Sequence, residues 1–188
     1  LTEHELIIGL KNREENAFKF LVETRESIVY NTVLGFLQNP TDAEDVTQDV
    51  FIKIYESISH FKGESALTTW VYRVAVTSAL EFLRRKKRKK RFGFISPIFG
   101  DDNEQQIELP DFHHPGVQLD KREMSAILFK AIKQLPDNQQ IAFILNKLEG
   151  LSYQEVAEVM KTSLSAVESL IHRAKTNLKE ILKKFNNL

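Results

Sequence analysis

Three groups of side chains in this sequence stand close enough together to do chemistry. The first is acidic. A helix would set Glu44, Asp45 and Asp49 near one face, and carboxylates held that way are candidate ligands for a divalent cation in a hydrolytic site. No His stands beside them, and acids at a helix start are also what the helix macrodipole favours. The second is basic. Arg84 to Arg91, RRKKRKKR, is an unbroken run of eight of the 26 Lys and Arg residues. Such a run neutralises phosphate, although a solvated helix end or a membrane-surface patch has the same composition. The third is mixed: Ser165, Ala166, Glu168, Ser169, His172, Arg173 and Lys175 are left outward when Val167, Leu170, Ile171 and Ala174 face inward from one helix. Arg and Lys bind phosphate or guanine edges, Ser bonds to several groups, and Glu accepts from cytosine. His113 and His114 have no second ligand nearby, so no metal site is expected there. There is no nucleophile motif, no Gly-rich phosphate loop and no pair of catalytic carboxylates.

The third group needs a particular support. Leu151 to Leu178 reads LSYQEVAEVMKTSLSAVESLIHRAKTNL. Ser152 and Glu155 predict a capping box opening a short helix to about Met160, with Val156, Ala157, Val159 and Met160 on its packing face. Lys161-Thr162-Ser163 is a turn, and the outward residues follow on the next helix. That is a helix-turn-helix pattern; a plain helical hairpin is the alternative. Upstream, residues 3 to 38 have helical spacing, with Phe18, Leu21, Val22, Ile28, Val29, Val33 and Phe36 inward. Asn39-Pro40 breaks the pattern, and Thr41 with Glu44 predicts a capping box. Val46, Val50, Ile54 and Ile58 follow at four-residue steps. Residues 61 to 65 predict a loop. A helix from about Leu67 to the basic run would bury Trp70, Val71, Val74, Ala75, Ala79, Phe82 and Leu83. Later, Met124, Ile127, Leu128, Ala131 and Ile132 form one apolar stripe and Ile141, Ile144, Leu145 and Leu148 another, ending at Gly150.

Composition frames these elements. Apolar residues make up 42% of 188, so the chain can bury a core, and the helical periods predict an all-α protein. Net charge is zero, an average that hides the basic run. Cys is absent, which excludes disulfides and thiolate metal sites. No apolar run approaches the ~20 residues that cross a bilayer, and the opening residues lack a secretion-signal pattern, so the cytoplasm is the expected location. Residues 92–118 lose helical period, carry Gly93, Pro97, Gly100, Pro110, Pro115 and Gly116, and hold five acids from Asp101 to Asp111. They predict a flexible acidic linker between two small helical domains, residues 1–91 and 119–188, the second containing the helix-turn-helix. The linker acids would either be solvated or pair with the basic run.

Together these motifs resemble the extracytoplasmic-function (ECF) group of bacterial sigma factors. Asp42 to Phe61, DAEDVTQDVFIKIYESISHF, looks like that family's polymerase-binding helix. Phe61 to Leu83 looks like its −10 reading segment, and Leu135 to Leu178, beginning LPDNQQIAFILNKLEGLSYQEVAEVM, like its −35 reading domain. The resemblance implies that Asp45, Gln48 and Asp49 bind the β′ clamp helices of core RNA polymerase. It implies that Lys62, Gly63, Glu64, Ser65, Ala66 and Leu67 form a loop pocketing a flipped −10 base, with Trp70, Tyr72 and Arg73 beside it and Arg84 and Arg85 on the backbone. The outward residues of the last helix would read the −35 element. That helix departs from the common wording at Ala166, Glu168 and Leu170, where the family has Thr, Lys and Arg; fewer cations and a Glu imply a different −35 preference. The implied partners are core polymerase (β′ clamp helices and β flap), promoter DNA and an anti-sigma factor, with no cofactor, metal, catalysis or membrane insertion. Three rival readings remain at this point: a dimeric helix-turn-helix regulator acting without polymerase on a palindromic site, a helical metal-dependent hydrolase using Glu44, Asp45 and Asp49, and a membrane-surface adaptor using Arg84 to Arg91.

Overall fold

A computed structural model describes residues 1–93, 114–116 and 122–186, and every regular element among the described residues is helical. The parts of the expected linker at residues 94–113 and 117–118 lie outside them. Helix α1 (Glu3–Lys11) opens with a capping box, Thr2 Oγ1 accepting from Glu5 N at 3.2 Å and Glu5 Oε2 accepting from Thr2 N at 2.8 Å. Such a box adds about 1 kcal/mol of helix stability. The helical spacing expected over 3–38 is carried by two helices: Arg13 enters the left-handed region (φ 60°) and α2 (Glu15–Leu37) starts after it. Asn39-Pro40 ends α2 as expected, but the cap of α3 (Pro40–Ser57) is Asn39, whose Oδ1 accepts from Asp42 N at 2.9 Å. Thr41 is already inside the helix. Pro40 fits the first turn, where its missing N–H leaves no bond unmade.

Helix α4 (Leu67–Gly93) follows a 3₁₀ turn, Ile58–His60, and the expected loop. Val29, Val33 and Phe36 of α2, Val50 and Ile54 of α3, and Val71, Ala75 and Ala79 of α4 are fully buried together. These are i, i+3 and i, i+4 positions of the sequence pattern. Each large one contributes about 1.5–3 kcal/mol by leaving water. This three-helix core fixes which faces of α3 and α4 look outward.

The second half holds α5 (Arg122–Lys133), α6 (Asp137–Phe143), a π-helical turn (Ile144–Leu148), α7 (Tyr153–Met160) and α8 (Leu164–Asn186). Two expectations shift here. Met124 is 54% exposed, and Phe129, which the predicted stripe leaves out, is buried. Helix α5 turns its Phe129 side toward the first half, where Gln38 Nε2 donates to Phe129 O at 2.8 Å. The stripe from Ile141 to Leu148 is not one α-helix, because its last five residues widen into the π turn. Asn146 Nδ2 then donates to Leu151 O at 2.6 Å across the following bend.

The two halves pack against each other: α2 meets the π turn, α4 meets α7, and one continuous apolar core runs through both. The contact is close. A Cβ on Gly35 of α2 would lie 3.2 Å from Ile144 Cγ2. Tyr72 of α4 is buried. Its phenol is pushed up to about 12, first by loss of water and then by the Glu149 and Glu155 carboxylates.

Candidate nucleic-acid interface

Helix α3 turns Val46, Val50 and Ile54 inward, which leaves Asp45, Gln48 and Asp49 exposed on the opposite face. Glu44 is exposed beside them. Among the described residues no three His, Cys, Asp or Glu side chains converge as metal ligands. Ile52, 55% exposed, continues the face one turn on. It was not singled out in the sequence because its neighbours Phe51 and Ile54 belong to the core and mask the change of face.

The loop before α4 is held at its two ends. Phe61 is buried and its ring lies 5.3 Å from that of Trp70, tilted by 45°. Leu67 is buried as well, and its N–H donates to Glu3 Oε1 of α1 at 3.1 Å, a cap supplied from 64 residues away. Between these anchors Lys62, Gly63, Glu64 and Ala66 are exposed and Ser65 is half-buried. Gly63 sits at φ +75°, a conformation that disfavours a side chain, with open space around it. A loop pinned at both ends and open between them can receive a base while its supports stay in place.

Along α4 the assigned residues separate. Trp70 is half-buried. Arg73 donates from Nη2 to Glu158 O at 2.6 Å and from Nε to the same oxygen at 3.1 Å, at the end of α7. Tyr72 and Leu67 are buried and present no surface to a nucleic acid in this arrangement. Arg84 and Arg85 are exposed, as are Lys86 to Lys89. Lys86 Nζ pairs with Asp42 Oδ2 at the start of α3. A cleft of about 910 Å³ opens between the halves, lined by Lys53, Trp70, Arg73 and Thr77 on one side and Asn138 and Met160 on the other.

The helix-turn-helix forms as the pattern predicts. Ser152 Oγ accepts from Glu155 N at 3.2 Å, and Glu155 Oε2 accepts from Ser152 Oγ at 2.7 Å and from Ser152 N at 2.8 Å; the last two bonds hold the Glu155 carboxyl below its usual range. Lys161 makes the left-handed turn (φ 52°), and Ser163 Oγ accepts from Ala166 N at 3.2 Å to start α8. Val167, Ile171, Ala174 and Leu178 are buried against α6 and α7, and Asn177 Nδ2 donates to Gln139 Oε1 at 2.8 Å. Ser165, Glu168, Ser169, His172, Arg173 and Lys175 are exposed on the other face, with Ala166 half-buried. A rigid helix with that polar face is what a major groove accepts.

Sequence reasoning missed the residues that join the halves. The sequence pattern places His114 in the expected linker. It is buried, 2.9 Å from Asn31 O and 3.5 Å from Glu149 Oε1. Burial pushes the Glu149 carboxyl up to about 7, opposed by its hydrogen bond with Thr32. The local signal for His114 is its place before Pro115-Gly116, a turn pair, but no local signal marks Glu149 or Gln38, whose partners are distant in sequence.

Comparison with known proteins follows the same division. Residues 21–89 match the family described as Sigma-70 region 2, and residues 125–178 match Sigma-70, region 4. The ECF RNA polymerase sigma-E factor of Haemophilus influenzae is 33% identical over 175 residues, covering 93% of this chain and 92% of that protein. The Escherichia coli protein of the same name is 31% identical, with 93% and 91% covered. Two solved structures have the same fold. CnrH in complex with the cytosolic domain of CnrY aligns with TM-score 0.68 at 20% identity over 97% of each chain. The sigma factor RpoE in complex with the anti-sigma factor NepR from Bartonella quintana aligns with TM-score 0.64 at 21% identity, over 88% of this chain and 96% of that one.

Proposed function

The chain belongs to the extracytoplasmic-function sigma factors of the sigma-70 family, and on that premise we propose that it binds core RNA polymerase and directs it to promoters with two DNA elements. The observation that carries this reading is the separation of three exposed groups onto three supports. Asp45, Gln48 and Asp49 lie on α3, the open loop Lys62–Ala66 precedes α4, and the polar face of α8 stands apart from both.

In this proposal each group has one partner. The α3 face docks on the β′ clamp helices, where its acids meet basic side chains. The loop pockets a flipped −10 base, and Trp70, Arg73, Arg84 and Arg85 hold the melted strand by stacking and charge. The outward residues of α8 read the −35 element from the major groove while the rest of the second half meets the β flap. The two DNA contacts belong to residues 1–91 and 119–188. They reinforce each other because the second binding event is intramolecular. The family is not known as an enzyme family. The proposed role requires no catalysis, cofactor or metal and places the protein in the cytoplasm; among the described residues no helix is long and apolar enough to cross a membrane. RpoE binds the anti-sigma factor NepR, and a comparable inhibitor is proposed for this chain.

The test separates docking from folding. Asp49→Lys reverses an exposed charge without touching the core, so the circular dichroism spectrum and melting temperature stay as in the wild type. Affinity for sigma-free core polymerase falls at least tenfold, about 1.4 kcal/mol. Unchanged affinity rejects the assignment of α3.

A further inference from the structure

We propose that His114 is a clasp: in the free protein it closes the two halves on each other, keeping Arg73 and Tyr72 from DNA, and polymerase binding opens it. The inference rests on the sigma-factor reading above and adds to it an autoinhibited state held by His114.

One ring joins the two halves. His114 Nε2 lies 2.9 Å from Asn31 O on α2, and Nδ1 accepts from Gly116 N at 3.1 Å. A neutral ring with its proton on Nε2 satisfies both bonds. The same ring tilts against Phe129 of α5 at 5.7 Å between centroids and faces Glu149, just past the π turn, at 3.5 Å. The first half supplies Asn31; the second supplies Phe129 and Glu149. The fit leaves little room. A Cβ on Gly35 would stand 3.4 Å from His114 Nε2, and one on Gly116 would stand 2.2 Å from Leu148 O. Only glycine lets the backbone pass at 116 in this arrangement.

Two more side chains cross the same boundary, each to a main-chain oxygen. Gln38 donates to Phe129 O, and Arg73 donates twice to Glu158 O. The second contact bears directly on function. The carbonyl end of α7 attracts a cation, and the cation it holds is one proposed for melted DNA. Tyr72 on the same helix is covered. Phosphate and the end of α7 therefore compete for Arg73. Each bond across the boundary exchanges with water when the halves part, so its net contribution is modest. A partner that binds only the open form can then shift the equilibrium.

The sequence has no Cys, so cysteines placed at exposed Lys19 and Lys179 would carry the only two spin labels. Distances between them, measured by double electron–electron resonance on the full chain without polymerase, report the closed form directly. The wild type should give one dominant short distance. His114→Ala should raise the longer-distance population about tenfold, the effect of losing one buried hydrogen bond. Gln38→Met, which cuts a separate tie, should move it the same way and covers the case in which His114→Ala fails to fold. Both variants should also bind a single-stranded −10 oligonucleotide more tightly than the wild type. A residue with only a folding role would lower that affinity. Identical distance distributions and equal or weaker oligonucleotide binding in both variants overturn the clasp. The sigma-factor reading is judged separately, by wild-type initiation with core polymerase, since the distance measurement contains no polymerase.

Discussion

Glu149 is the residue whose ionisation depends most directly on how the halves are arranged. Its side chain belongs to the second half, yet it is buried against Thr32 of α2 and His114, and it acts on the Tyr72 phenol, which Glu155 and Arg25 also influence. Burial raises its carboxyl from an ordinary 4.5 to about 7. Parting the halves returns it to water. A raised pKa in the closed form means that the closed form has its full stability below the ordinary value and loses it as pH rises through about 7. The difference amounts to about 3 kcal/mol. The closed population should therefore be larger at pH 5 than at pH 8 in the same spin-label measurement. Glu149→Gln should remove most of that dependence; a variant that keeps the full pH response would show that another group titrates.

At the scale of elements, the proposed function puts promoter preference on α8. Arg173 and Glu168 are both exposed on it, but their chemistry differs. Arg173→Ala removes the proposed phosphate contact and should weaken binding to all promoters, with a smaller salt dependence. Glu168→Lys should change which −35 sequences bind, by about 1–3 kcal/mol at the affected base pair. Selection from a randomised −35 library at fixed salt separates these outcomes, and an unchanged preference in Glu168→Lys removes that residue from base reading. These elements were legible because their signals are local. Ser152 with Glu155, Lys161, and the Val167–Ile171–Ala174 stripe lie within a few turns of one another and act there. The start of α3 was misread by two residues because two plausible caps, Asn39 and Thr41, flank Pro40. The loop before α4 was legible as a loop, but not its brace, since Glu3 caps Leu67 from a different helix. The burial of Tyr72 was equally hidden, because the carboxylates that act on it, Glu149 and Glu155, come from the second half.

For the whole molecule, the division into two helical halves follows from where the apolar periods stop and restart, and the family matches at residues 21–89 and 125–178 respect it. Their packing on each other does not follow from any period. It depends on Gly35, Gln38, His114 and Glu149, of which His114 alone, before the Pro115-Gly116 turn pair, carries a local signal. The proposed function requires the halves to act on one DNA molecule together, bound to polymerase. The most direct measurement is transcription reconstituted from this protein and sigma-free core polymerase on bacterial genomic DNA, with start sites mapped. Start sites absent with core polymerase alone, each preceded by two shared sequence elements, are the predicted result. A protein that leaves the pattern of initiation by core polymerase unchanged would contradict it.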